Sequence, residues 1–118
     1  MSTTKQLFTP NGYSAAVQAG DLVFLGHHRG YGDVFLEQLD RTLENVRVAL
    51  RDLELDLEDL VKVNVWLCDI TDLPLMEQRF QDYFPAGRFP ARTTTTSAFI
   101  DDDRLVTIDG IAYQRSSD

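Results

Sequence analysis

The sequence predicts an α+β sandwich: a mixed β-sheet with two helices on one face, in the order β-β-α-β-α-β-β. Three observations carry this. Residues 36–53 repeat leucine or valine every three or four positions, and residues 60–68 alternate apolar with polar. The last third of the chain joins β-branched runs through an acidic turn.

Taken in order, residues 13–18 (YSAAVQ) and 22–26 (LVFLG) read as strands separated by Ala19-Gly20-Asp21, a short hairpin turn. Residues 27–33 (HHRGYGD) have no periodic face and read as a loop. Leu36, Leu39, Leu43, Val46, Leu50 and Leu53 then form one helical stripe, with Asp33 as the expected N-cap. Val61, Val63, Val65 and Leu67 form the buried side of the next strand, opposite Lys62, Asn64, Trp66 and Cys68. Residues 69–72 supply capping side chains before Pro74, and a second helix runs to about Phe84. It buries Leu73, Met76, Phe80 and one of Tyr83 or Phe84, and Pro85, Gly87 and Pro90 end it. Strands over 91–99 and 104–113 close the chain around residues 100–103. Helices on one face leave the sheet's other face uncovered, so an oligomer is expected.

Size and charge narrow the function. The chain of 118 residues suits a single domain, 1–118, and its 43% apolar content suits a single core. Lys and Arg total 11 against 19 Asp and Glu, a formal charge of −8. Nucleic-acid binding rests on cationic neutralisation of phosphates, so this balance argues against it. Cys68 is alone and is read as a packing residue, which leaves no disulfide framework and no multi-cysteine metal site. The start, MSTTKQLFTPNGYS, has no apolar segment of the signal-peptide kind, and no apolar run approaches the roughly 20 residues that span a bilayer. A soluble, cytoplasmic protein without metal, cofactor or membrane partner is expected.

The candidate site begins at FPARTTTTSAF, residues 89–99. Alternation puts Arg92, Thr94 and Thr96 on one face of a strand. On the last strand it puts Thr107, Asp109, Ile111 and Tyr113 opposite Val106, Ile108, Gly110 and Ala112. If the two strands are hairpin neighbours, Arg92 and Thr94 lie close to Thr107 and Asp109. A guanidinium matches a carboxylate with two parallel hydrogen bonds, so Arg92 either grips a small organic acid or pairs with a carboxylate of this chain.

From Tyr13 onward the chain resembles the RidA/YjgF family of imine and enamine deaminases. The matching pieces are GYSAAVQAGDLVF, LENVRVAL, DLVKVNVWLCD, FPART and IDGIA, in that order. The resemblance implies a chorismate-mutase-like homotrimer with small-molecule sites between subunits and no cofactor. Arg92 matches the family's carboxylate-clamping arginine, Tyr13 its pocket tyrosine, and Thr94 a position whose backbone helps bind the ligand. Gly26, His27 and His28 stand where the family usually has Ser-Gly-Gln, and Glu77 stands for a pocket asparagine. Thr107 replaces the first glutamate of a Glu-x-Glu pair, the one thought to position or activate the hydrolytic water.

Threonine orients water but is a poor base at neutral pH. Asp109, His27 and Glu77 are therefore the alternatives for moving the proton, with His27 and His28 otherwise read as loop-surface residues. The leading reading is hydrolysis of a small 2-imino or 2-enamino acid to a 2-keto acid and ammonia. It requires Arg92 un-neutralised in a groove shared by two protomers. The alternatives are a pathway-specific deaminase acting on a bulkier enamine acid, and binding of carboxylate metabolites without turnover. A ribonuclease or translation-inhibitor role, also described in this family, conflicts with the acidic charge.

Overall fold

The computed structural model describes residues 5–115. Its strands are β1 (Lys5–Phe8), β2 (Ser14–Ala19), β3 (Leu22–His28), β4 (Leu60–Leu67), β5 (Ala91–Thr96) and β6 (Val106–Tyr113), and its helices are α1 (Phe35–Arg51) and α2 (Leu73–Tyr83). They form a six-stranded sheet in the order β1-β2-β3-β6-β4-β5. Only β4 and β5 pair in parallel. None of the described helices is long and apolar enough to cross a membrane.

Alternation makes the core one-sided. Val23, Leu25, Val63, Val65, Leu67, Val106, Ile108 and Ala112 are buried together with Leu39, Leu43, Val46 and Leu50 of α1 and Met76 and Phe80 of α2. Both helices therefore cover the same face, as the pattern predicts. Phe84, rather than Tyr83, completes the apolar side of α2. On the other face Leu22, Phe24 and Tyr113 are exposed and Trp66 and Ile111 are half-buried.

Several expectations need correction. β1 was not foreseen: its four residues are mostly exposed and are held by the antiparallel ladder to β2, so KQLF carries no burial signal. β3 runs on through His28, where a loop was expected. Asp33 does not cap α1; the N-cap is Val34, and the Asp33 N–H donates to Glu37 Oε1 at 2.7 Å, so the helix's first turn reaches back instead. Val61 is exposed rather than inward, because a register shift between Leu60 and Lys62 removes it from the alternation. Cys68 is exposed, since it follows Leu67 on the outward side at the end of β4.

The largest correction concerns the last two strands, which are not hairpin neighbours. β5 follows β4 through α2, and such a crossover delivers a strand parallel to its predecessor. β6 returns through residues 97–105 and enters between β3 and β4. Gln38 of α1 anchors this return. It is 1% exposed, its Nε2 donates to the carbonyls of Gly32 and Asp103, and its Oε1 accepts from Leu105 N–H.

Candidate functional site

The parallel register pairs Val63 with Arg92, Val65 with Thr94 and Leu67 with Thr96. Paired residues share a face, so Arg92 and Thr94 lie on the helix-covered side. Asn64 pairs with Asp109, and Trp66 with Thr107, on the open side. The expected grouping of Arg92 and Thr94 with Thr107 and Asp109 is thus divided between opposite faces of the sheet.

Arg92 projects beside α2. Its Nη2 donates to Glu77 Oε2 at 2.8 Å, the one side-chain hydrogen bond it makes among the described residues. The guanidinium is therefore neutralised, contrary to expectation. Its side chain is 30% exposed and that of Glu77 is 50% exposed, and ion pairs this wet contribute roughly 0–1 kcal/mol. The pair is weak and uses only Nη2, so an incoming carboxylate can take up the remaining donors of the guanidinium. A cavity of 330 Å³ adjoins the pair, lined by Glu77, Phe80, Gln81, Phe89, Pro90 and Arg92. Two aromatic rings and a proline give it an apolar wall, and the guanidinium gives it a cationic end. Two positions along β5, Thr94 Oγ1 is buried and has no hydrogen-bond partner among the described residues.

The second group of candidates lies elsewhere. Tyr13 and His27 stack with ring centroids 5.0 Å apart and planes tilted by 30°. A Cβ on Gly26 would approach Ser14 O to 2.9 Å, so the missing side chain lets the Ser14 carbonyl lie against this strand, with the Tyr13 ring beside it at ordinary contact distance. Tyr13 is 41% exposed, and its backbone carbonyl accepts from Thr9 N–H and Oγ1. His28 points the other way and is half-buried, not a surface residue: its Nε2 lies 3.2 Å from Ala15 O, and burial pulls its pKa below the usual histidine value. Between β3 and β5 stand β6 and β4, so three strand spacings, about 14 Å, separate the Tyr13–His27 pair from Arg92.

Thr107 and Asp109 are both committed to neighbours. Thr107 is 3% exposed, and its hydroxyl accepts from Arg104 Nη1 at 3.3 Å. Arg104 also pairs with Asp101, which Arg29 shares, while Arg29 reaches Asp103 and lies 4.1 Å from the centre of the Tyr31 ring. Hydrogen bonds from Arg104 and Arg29 hold the Asp101 carboxyl below the usual range. Asp109 accepts from Asn64 Nδ2 at Oδ1 and from Trp66 Nε1 at Oδ2, each at 2.7 Å. Sequence reasoning missed the Arg29–Asp101–Arg104 cluster and the partners of Asp109. The outward placement of Asn64 and Trp66 on one strand was the available signal for the latter. Among the described residues no group of three or more His, Cys, Asp or Glu side chains could hold a metal ion.

Comparison with known proteins agrees with this architecture. The family profile described as Endoribonuclease L-PSP matches residues 3–114. A RutC family protein of Pyrococcus abyssi is 30% identical over 111 residues, 86% of each chain. A protein of Dermatophagoides farinae named 2-iminobutanoate/2-iminopropanoate deaminase is 25% identical over 107 residues, 84% of this chain and 83% of that one. The crystal structure of a YjgF-family protein from Neisseria meningitidis superposes with a TM-score of 0.91 at 25% identity, covering 98% of both chains. With its profile match, its relatives and its sheet order in agreement, the chain belongs to the YjgF/RidA family, some of whose members are named as imine deaminases.

Proposed function

We propose that the protein hydrolyses a small 2-imino or 2-enamino acid to the 2-keto acid and ammonia, with Arg92 gripping the substrate carboxylate. The observation that carries this reading is the Arg92 guanidinium beside a 330 Å³ cavity with an apolar wall, tied only to an exposed glutamate among the described residues. That combination suits a short organic acid: a planar carboxylate on the fork and a small apolar side chain against Phe80 and Phe89. The Thr94 hydroxyl, unpartnered among the described residues, supplies a further donor for a ligand oxygen.

The site is completed by a second copy of the chain. Tyr13, Gly26 and His27 lie too far from Arg92 to join it within one chain, and the open sheet face carries exposed Leu22, Phe24 and Tyr113. A cytoplasmic homotrimer, each sheet face covered by its neighbours, would bring the Tyr13–His27 half of one protomer to the Arg92–Glu77 half of the next. Sedimentation as a monomer would remove this part of the proposal. The acidic balance of −8 weighs against a nucleic-acid substrate.

The chemistry needs little from the protein. Water adds to C2 of the imine, the C=N pair moves to nitrogen, and the resulting amino alcohol expels ammonia as its hydroxyl proton is lost. Such imines hydrolyse unaided, so positioning the carboxylate and the water lowers an already modest barrier. The test is to generate 2-iminopropionate in a coupled assay and follow its decay. Acceleration by the wild type that disappears in Arg92→Ala is expected; no acceleration, or acceleration that survives the substitution, defeats the reading.

A second reading is binding of carboxylate metabolites without turnover. The burial of Thr107 and its engagement by Arg104, at the position where the family's glutamate is expected, favour it. A thermal shift with 2-ketobutyrate or benzoate, without turnover of any imine, would establish it. Activity confined to larger enamine acids would instead indicate a pathway-specific deaminase.

A further inference from the structure

We infer that Glu77 takes the proton from the hydrolytic water. This inference rests on the deaminase reading above and assigns the base that the reading leaves open.

The argument begins with what the other candidates are doing. The Thr107 hydroxyl is buried and accepts from Arg104, and a hydroxyl does not ionise near neutral pH. Asp109 has one oxygen on Asn64 and the other on Trp66, and it lies on the sheet face opposite Arg92. His27 stands three strands from Arg92 and can approach it only from another copy. Glu77 is different: it lines the same cavity as Arg92 and sits directly on the guanidinium.

The hydrogen bonding leaves room for both partners at once. A guanidinium carries five N–H donors, and Glu77 engages Arg92 only through Nη2. A substrate carboxylate can occupy the remaining donors while Glu77 stays on Nη2. The reacting C2 is bonded to that carboxylate, so it is brought to the side of Glu77. Among the described residues Glu77 accepts a hydrogen bond only at Oε2, which leaves Oε1 to accept one from a water.

The step balances without any co-reactant beyond water. As the water oxygen bonds to C2, its proton passes to Glu77 and the C=N pair moves to nitrogen. Glu77 then passes the proton to the nitrogen, which gives the amino alcohol and regenerates the carboxylate. The hydroxyl proton is carried to the amino nitrogen in the same way as the C–N bond breaks, so ammonia leaves with the bonding pair and the keto group forms.

The experiment is steady-state kinetics on 2-iminopropionate for the wild type, Glu77→Gln, Arg92→Ala and His27→Gln, each checked for folding by circular dichroism. Glu77→Gln is expected to lower kcat by about 100-fold or more, without raising KM, and to remove the acid limb of the kcat/KM profile. A kcat within about threefold of wild type, with a lower KM, would show that Glu77 merely competes with substrate for Arg92 and would overturn the assignment. So would loss of that acid limb in His27→Gln but not in Glu77→Gln. If the wild type does not accelerate imine decay, the deaminase reading falls and takes this role with it. If the wild type is active, Arg92→Ala is not, and Glu77→Gln keeps its rate, only the Glu77 assignment falls.

Discussion

Asp109 on β6 and Trp66 on β4 are joined across the open face of the sheet by a hydrogen bond of 2.7 Å from the indole N–H to the carboxylate. The other Asp109 oxygen accepts from Asn64 at the same distance. This carboxylate binds two neighbouring strands together at a sheet face that has no helix over it.

Replacing Asp109 with alanine is therefore expected to lower stability by about 1–3 kcal/mol, because two donors lose a charged acceptor. Urea denaturation followed by Trp66 fluorescence checks this, and the native emission should shift as the indole N–H loses its partner. An unchanged midpoint and unchanged emission would contradict the role.

Gly30 faces the backbone of α1. A Cβ there would collide with Arg41 Cβ and the Thr42 backbone, and the Gly30 N–H donates to Thr42 Oγ1 at 2.8 Å. Gly30→Ala is expected to cost about 1–3 kcal/mol, as overpacking typically does. The denaturant midpoint is the readout, and Gly87→Ala, which meets open space but has φ of 80°, is a useful comparison for backbone strain alone.

Glu54 follows α1 with φ of 65°, the only described non-glycine residue at positive φ. Left-handed backbone is costly for a residue with a Cβ, and here it lets Leu55 N–H close back on Leu50 O at 2.9 Å. Glu54→Gly is expected to stabilise the fold by about 0.5–1 kcal/mol, measurable as a raised midpoint of chemical unfolding.

Burial lowers the His28 pKa, so the unfolded chain takes up this proton at higher pH than the native state does. Stability then falls as pH drops below the unfolded histidine value of about 6.5, and the loss is complete below the native value. His28→Gln should flatten the stability curve in that window while keeping a donor for Ala15 O. The same curve in the wild type, measured by urea unfolding from pH 7.5 to 5, is the control.

Asp101 is depressed by Arg104 and Arg29, so it contributes above the unfolded carboxyl value of about 3.9 and ceases to do so as pH falls through its lower native value. Asp101→Asn should reduce the steepness of acid unfolding below about pH 4. An acid transition identical to wild type would show that the Arg29–Asp101–Arg104 cluster does not hold the turn.

Local order was legible wherever one element carries its own pattern. The stripe from Leu39 to Leu50 makes a helix with a single apolar side whatever it packs on, and Val63, Val65 and Leu67 alternate because one sheet face is dry. The arginine at position 92, the tyrosine at 13 and the glutamate at 77 could be picked out from motif resemblance. What the tertiary structure alone decided was which strand each of these lies beside. Alternation says that Arg92 and Thr94 share a face but does not say which face. That was settled when α2 carried β5 back parallel to β4, pairing Arg92 with Val63 on the helix side while Asp109 paired with Asn64 on the other. The physical reason is that side-chain period is written along a strand, whereas hydrogen-bond partnership is set by the path of the chain between strands.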